Sequence, residues 1–289
     1  MILNMNDGTS KDPYLRIDLN MGNCDALPDF SKGPKGNLED KHAMIKKAGY
    51  QGVQSGDPAY CKKYELALTE HARLDKIGEL DDKIMVWKDS GVQCTTLHVG
   101  SGMENDHDID LFLDYLINLS EKTSYPLYIE THRATITQDM YRTVQLVERF
   151  PDVRFNGDFS HWYTGQEMPY GNLDEKLEFI SPVLERVRFI HGRIGNPSHI
   201  QVNIGKGNGL SFVDHFREFW TRSMAGFLRS AEAGDFFVFC PELLPANIHY
   251  AYGCYNDKGE FVEESDRWEQ ALVLADIARQ CWEDASNIQ

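Results

Sequence analysis

The sequence predicts an α/β fold, a closed (β/α)8 barrel in one domain, and three observations carry that expectation. Short apolar, β-branched runs alternate with amphipathic helical patterns, as parallel strands joined by helical crossovers require. The clear strands number seven, close to the eight of a closed barrel and too many for a small open sheet. Polar and ionisable residues collect where successive strands end, at what would be the carboxyl-end mouth of such a barrel.

Strands are expected at YLRIDLN (14–20), QGVQS (51–55), VQCTTLHV (92–99), PLYIET (126–131), VRFNGDF (153–159), VRFIHGR (187–193) and FFVFCPEL (236–243). Between them run the helical patterns NLEDKHAMIKKAG, DDKIMVWKDSG, DIDLFLDYLINLSEK, TQDMYRTVQLVERF, NLDEKLEFISPVLER and SFVDHFREFWTRSMAGFLRSAEAG, several closed by Gly or a basic residue. The missing strand falls at ARLDKIGEL (72–80), between a helix YELALTEHA and the helix that starts near Asp81. WEQALVLADIARQCWED reads as the last outer helix. No repeat, low-complexity block or Pro-rich linker divides the chain, so one domain is expected over residues 1–289. The least regular segments, 21–38, 100–108, 163–172 and 192–211, each follow a strand and so belong to the mouth.

Bulk properties exclude several function classes. Of 289 residues, 42% are hydrophobic and 26% charged, the proportions of a folded globular protein. With 45 acidic against 29 basic residues the formal charge is −16, which repels a phosphate backbone or an anionic membrane. The opening MILNMNDGTSKDPY lacks the basic start and apolar core of a signal peptide, and no later stretch has the roughly 18 uncharged apolar residues of a membrane span, so a cytoplasmic protein is expected. Cys24, Cys61, Cys94, Cys240, Cys254 and Cys281 form no CxxC pair and are expected as reduced thiols.

The chemistry should lie at the strand ends, where His98, Glu130 with His132, Asp158 with His161, His191 with Arg193, and Glu242 interrupt apolar runs. In a sheet buried on both faces, carboxylates are costly unless paired or bound to a cation. Glu130, Asp158, His191 and Glu242 would offer three carboxylates and one imidazole to one divalent ion per chain. An oxygen-rich set with one nitrogen suits Mn2+ first, with Mg2+, Co2+ or Zn2+ as the other candidates. Their separations of 28, 33 and 51 residues allow one ligand from each successive strand. Each of them alone could instead be a rim residue paired with Arg or Lys; it is the convergence of four that favours a metal. His98 and His132 are either satisfied barrel histidines or substrate contacts.

Taken in order, the strand ends IETHR, GDFSHW, FIHGR and PEL resemble those of the xylose isomerase-like TIM-barrel superfamily, the group of sugar isomerases, epimerases and inosose dehydratases. The resemblance runs from about Leu15 to Trp282. It implies that Glu130, Asp158, His191 and Glu242 are the metal ligands and that Glu130 and Glu242 are also the catalytic acid/base pair. In the epimerase branch the two glutamates face opposite sides of a sugar carbon and pass a proton through a metal-stabilised cis-enediolate. It further implies that His161 and Arg193 bind substrate oxygens. Arg193 follows His191 by only two residues, closer than the arginine of that group, and the loop 192–212 is long enough to be a lid, with Lys206 or His199 reaching the ligand. Trp162 and Tyr163 could wall the sugar's C–H face or simply pack, whereas Trp87, Trp220 and Trp282 are expected to pack.

The implied function is a metal-dependent sugar or polyol isomerase/epimerase acting on a small molecule, with a homo-oligomer as the common state of the resembling group. A lyase or dehydratase on a keto-sugar, keto-glycoside or inosose is the close alternative, and a barrel that binds sugar without turning it over is a third. A metal-dependent endonuclease for abasic DNA shares the barrel, but it needs more histidine ligands and a basic groove.

Overall fold

The computed structural model describes residues 1–288. Its elements are β1 (Tyr14–Asn20), α1 (Leu38–Lys47), β2 (Gly52–Gln54), α2 (Pro58–Lys63), β3 (Ala67–Leu74), α3 (Asp81–Asp89), β4 (Val92–Val99), α4 (Asp106–Thr123), β5 (Leu127–Glu130) and α5 (Met140–Arg149). They continue with β6 (Phe155–Asn156), α6 (Ser160–Gly165), α7 (Leu173–Phe179), α8 (Ser181–Leu184), β7 (Val187–Gly192), α9 (Ser211–Leu228), β8 (Phe236–Pro241), β9 (Gly253–Tyr255), β10 (Phe261–Glu263) and α10 (Arg267–Ser286). Strands β1 to β8 pair in parallel and in chain order, and β1 pairs with β8 from Tyr14↔Phe236 to Ile17↔Phe239, which closes the barrel. No helix among the described residues is long and apolar enough to cross a membrane.

Strand β1 shows how the sequence builds the barrel. Residues two apart share a face, so Ile17 and Leu19 join the apolar layer between strands and helices, while Arg16, Asp18 and Asn20 share the other face. Below the mouth the interior is filled by Cys94, Tyr128, Phe189, Phe236, Val238 and Cys240, against which Ile2 and Met5 pack. The N-terminal segment lies across this lower end. Phe236 N–H donates to the Met5 carbonyl (3.1 Å), Tyr128 Oη–H to the Leu3 carbonyl (3.1 Å), and the Asn4 and Asn6 amides to Asp235 (both 2.7 Å). The upper end, where strands finish, carries the loops that line two of the cavities.

Side-chain caps start the outer helices: Asn37 with Asp40 forms a reciprocal capping box at α1, and Asn105, Asp139 and Asp266 cap α4, α5 and α10. Gly226 lets α9 approach the turn before β7, because a Cβ there would lie 2.6 Å from Glu185 Cα.

Three expectations are corrected. The third strand is ALTEHARL (67–74), not 72–80, and the expected helix YELALTEHA is largely that strand, preceded by the short α2. Ala, Leu and Glu favour a helix locally, but pairing with β2 on one side and β4 on the other overrides propensity, across a register shift between Leu68 and Glu70. The helix expected over 172–186 is two, α7 and α8, because Pro182 stands at the start of α8 where it cannot continue a helix. The sixth strand is only Phe155–Asn156, so Asp158 lies in the turn beyond it and α6 follows at once.

Candidate active site

The mouth is assembled from strand ends that inter-strand hydrogen bonding holds at one level. Glu130 is the last residue of β5, opposite Asn156 of β6, and His191 of β7 lies opposite Cys240 of β8. Glu242 follows β8 directly, its N–H donating to the Gly192 carbonyl (3.2 Å). Asp158 is fixed by Ser160 at the start of α6, whose N–H and Oγ–H both donate to Oδ1 (3.1 and 2.5 Å). Glu130, Asp158, His191, Arg193 and His161 are all but fully buried, and Glu242 is 8% exposed.

Glu130 divides its carboxylate between two neighbours. Oε1 lies 3.0 Å from His98 Nε2; Oε2 accepts from Asn156 Nδ2 (3.0 Å) and lies 3.2 Å from His191 Nδ1. Glu242 Oε1 stands 3.7 Å from the same His191 nitrogen, so two carboxylates flank one imidazole edge. Asn20 Nδ2 donates to Glu242 Oε1 (3.2 Å) and to Gln54 Oε1 (2.8 Å), and Gln54 Oε1 in turn meets His191 Nε2 at 2.8 Å. Arg193 Nη2 contacts Asp158 Oδ2 closely, reaches Glu242 Oε2 at 3.2 Å and donates to His161 Nε2 at 3.2 Å. Arg193 Nη1 and His161 Nδ1 are buried without a hydrogen-bond partner, a cost of about 1–3 kcal/mol each that a substrate oxygen would remove.

The electrostatics are those of a cation-seeking cluster. Asp158 and Glu242 face one guanidinium, Glu130 faces His98 and His191, and the imidazoles take up the imbalance. Burial disfavours the His191 cation, yet Glu242 and Glu130 outweigh it and push the group up to about 9. His98 is raised on the same balance, burial opposing and Glu130 prevailing. Burial would raise Glu130, but the His98 and His191 charges hold it well below the usual carboxylate range; Asp158 is lowered likewise, Arg193 and His161 overcoming its burial. His132 is pushed down to about 3 by burial and by the neighbouring His161.

Of the residues expected to hold a metal, Glu130, Asp158 and His191 each present one donor atom within 4.8 Å of the others, and Glu242 borders them through His191 and Arg193. The donor set fits a divalent cation: three carboxylates, one imidazole, and a charge imbalance that protons on histidine now relieve. The histidines expected as substrate contacts form a stack. Ring centroids are 3.9 Å apart for His98 and His132 and 3.8 Å for His132 and His161.

Sequence reasoning missed His71, edge-on to His98 at 4.7 Å, because its strand was misplaced. It also missed Asn20, Gln54, Asn156 and Ser160. The strand-end criterion that found Glu130 also selects Asn20 and Gln54, but uncharged residues draw less attention than charged ones. Tyr250 was missed because its loop has no periodicity; its ring lies under Arg193 (4.9 Å) and Arg133 (5.5 Å). It lines both a cavity of about 230 Å3, bordered by His71, His98, Glu130 and Glu242, and one of about 750 Å3 that His199, Tyr252, Tyr255 and Phe261 help to line.

Three other expectations resolve as packing. Trp162 and Tyr163 are buried against Phe159, Phe216 and Phe219, with Trp162 Nε1–H donating to the Thr137 carbonyl (2.8 Å). The loop 192–212 is pinned by buried Ile194, Ile200 and Ile204, and Lys206 is exposed. All six cysteines are free, five of them buried.

No protein-family model matches the sequence, and no curated protein matches it. Solved structures do match in fold. A D-tagatose 3-epimerase-like protein is 12% identical over 93% of this chain and 98% of its own, with a TM-score of 0.55. A xylose isomerase-like TIM barrel protein from Mycobacterium smegmatis, solved in complex with magnesium, is 12% identical over 94% and 97%, also at 0.55. The probable 3-DHS dehydratase AsbF from Bacillus anthracis is 13% identical over 81% and 94%, at 0.51. At these identities the likeness is one of fold: the chain shares the closed eight-stranded parallel barrel of these proteins.

Proposed function

We propose that the protein is a metal-dependent sugar or polyol isomerase/epimerase that moves a proton between the two faces of a carbon beside a carbonyl. The observation that carries this reading is the pair Glu130 and Glu242, two buried carboxylates from β5 and the end of β8 that flank one edge of His191. Glu130, Asp158, His191 and Glu242 would hold the divalent ion, Mn2+ foremost. Once bound, such an ion supplies stabilisation of negative charge on the substrate's carbonyl and hydroxyl oxygens.

The protein's own groups do the rest. Glu130, kept ionised, accepts the proton from carbon as the C–H pair moves into the carbonyl to give an enediolate. Glu242, beside the cavity and more accessible, would enter the step carrying a proton and give it to the opposite face of the carbon, and the two carboxyl groups would then exchange back to their starting states with solvent. Arg193 and His161 have unpartnered nitrogens suited to substrate oxygens, and His98 and His132 border the same space. Tyr250 lines the 230 Å3 cavity beside Arg193 and would help to limit bulk water around the charged intermediate. The epimerase-like and magnesium-containing neighbours support the reading as precedents for this fold.

One observation favours a lyase or dehydratase as the second reading. The 750 Å3 cavity, which Tyr250 also lines, has room for a leaving group such as a second ring, and a probable dehydratase shares the fold. The deciding experiment is to incubate the Mn2+-supplemented protein with a panel of keto-sugars and inososes in D2O. Carbon-bound deuterium in a product of otherwise unchanged mass supports the isomerase, and loss of water or aglycone supports the lyase. No exchange with any member, while a Glu130→Gln, Glu242→Gln variant binds the same sugars as tightly as wild type, would leave only a sugar-binding barrel.

A further inference from the structure

The end of the barrel opposite the mouth, where strands begin, holds a cavity of about 240 Å3 bordered by Arg154, Arg186, Arg188 and Arg229, with Glu185 and Ser230 among them. Arg154 and Arg186 stand just ahead of β6 and β7, Arg188 is the second residue of β7, and Arg229 follows α9. A chain with a formal charge of −16 has thus gathered four guanidiniums around one hollow. We infer that this cavity is a second ligand site, one that binds a phosphate group, either as free phosphate or as the phosphate of a small ester.

Partners within the fold do not account for these cations. Among the described residues the buried arginines are Arg16, Arg188, Arg193 and Arg267. Arg16, Arg193 and Arg267 each pair with a carboxylate, as a buried charge requires. Arg188 has only neutral acceptors: Asn4 Oδ1 for Nε (2.6 Å), the Glu185 and Val187 carbonyls for Nη1 (2.9 and 2.8 Å) and Ser230 Oγ for Nη2 (3.0 Å). The Phe227 ring centroid lies 5.5 Å from it. These contacts fix the guanidinium in place without cancelling its charge.

Arg154 and Arg186 likewise form no ion pair among the described residues. Arg186 donates to the Pro151 and Pro182 carbonyls (3.0 and 2.7 Å). Arg154 gives Nη1 to the Pro151 and Val153 carbonyls and Nη2 to the Met1 thioether, a weak acceptor, and its buried Nε has no partner at all. Arg229 alone meets an acid, Nη2 standing 3.2 Å from Glu185 Oε1. Asp152 and Asp235 act from further away, and the carbonyl ends of α8 and α9 add about half a negative charge each. Repulsion still prevails: burial and then Arg154 push Arg188 down to about 10, against the pull of Asp235, and burial and then Arg186 lower Arg154, against Asp152.

Phosphate suits what is left over. Guanidinium forks match the oxygens of a phosphoryl group two at a time and stay charged at neutral pH. A dianion among them would relieve the repulsion, and an oxygen beside Arg154 would give its orphaned Nε an acceptor. The site lies at the far end of the strands from Glu130 and Glu242, so it stands or falls independently of the proton-transfer reading.

The test is thermal melting of the full chain in sodium phosphate, glycerol phosphate and succinate, each against sodium chloride of equal ionic strength. At a hundredfold excess over its Kd, phosphate or its ester should raise Tm by roughly 5 °C, and the tighter of the two identifies the source. An Arg154→Gln, Arg186→Gln variant should lose that rise. No rise beyond that in chloride, an equal rise with succinate, or a rise that survives in the variant overturns the site, the last by placing the anion elsewhere. Should the double variant fail to fold, Arg229→Gln at the exposed rim decides by calorimetric titration with inorganic phosphate. The site requires a Kd at least about tenfold weaker, the loss of one charged hydrogen bond, and an unchanged Kd overturns it.

Discussion

Two places inside this barrel bury charge, and they do it in opposite ways. Lower down, Arg16 and Asp18 of β1 form a closed pair: Nε and Nη2 donate to the two carboxylate oxygens at 2.9 and 2.7 Å, and Nη1 contacts Gln93. The guanidinium lies 4.5 Å from the Phe236 ring centroid, and Gly52 makes room for the carboxylate, since a Cβ there would meet Asp18 Oδ1 at 2.4 Å. At the mouth, two residues further along the same face of the same strand, Asn20 touches Glu242 in a cluster where Asp158 and Glu242 share one arginine, Glu130 faces two histidines, and two buried nitrogens have no partner. Below, one charge offsets one charge and every short-range donor is used. Above, the carboxylates are balanced only by protons borne on histidines, and two buried donors lack acceptors, which is the state a binding site needs and a structural pair avoids.

That contrast can be broken experimentally, most severely through turnover. Glu130→Gln or Glu242→Gln should lower kcat for proton exchange by roughly 10^2- to 10^4-fold, the range for a positioned acid or base, measured by deuterium incorporation. Arg16→Met should leave any activity per folded molecule near that of the wild type. It should cost about 3–5 kcal/mol of stability in urea denaturation, because Asp18 is then buried alone; adding Asp18→Leu should recover most of the loss. A small loss for Arg16→Met would mean that the lower pair is as open as the upper cluster.

The pH response should belong to the mouth. In metal-free protein His191 has its folded value near 9, above the 6.5 of an ordinary imidazole. Its protonation therefore stabilises the fold fully below about pH 6.5, and that contribution is lost as pH rises through 9. Thermal melting without metal should fall over that window and flatten in His191→Gln, while saturating Mn2+ should remove the dependence because the cation replaces the proton. The smallest effect sharpens the comparison: Glu242→Gln relieves repulsion among like charges, so its stability should lie within about 1 kcal/mol of wild type or above it, as groups kept for function often allow.

How much of this was legible depends on how local each cause is. Seven strands could be read because a buried parallel strand needs a run of β-branched or aromatic residues, and those runs are contiguous in the chain. The third strand could not, because ALTEHARL favours a helix by itself and becomes a strand only between β2 and β4. Glu130, Asp158, His191 and Glu242 stood out because a carboxylate or imidazole at the end of an apolar run has a cost the eye can see. Asn156, Gln54 and Asn20 carry no such mark, yet they hold those groups in place.

The sequence by itself determined the closed α/β architecture, the acidic character and the list of ionisable residues that crown the strands, since periodicity and composition are properties of consecutive residues. Only the tertiary structure decided that Arg193 would lie on Asp158 and Glu242, that Glu130 would face His98 with one oxygen and His191 with the other, and that four histidines from separate strands and turns would stand side by side. Those are distances between residues tens of positions apart, set by barrel register and by turns such as the one through Thr135 and Thr137, and no local pattern encodes them.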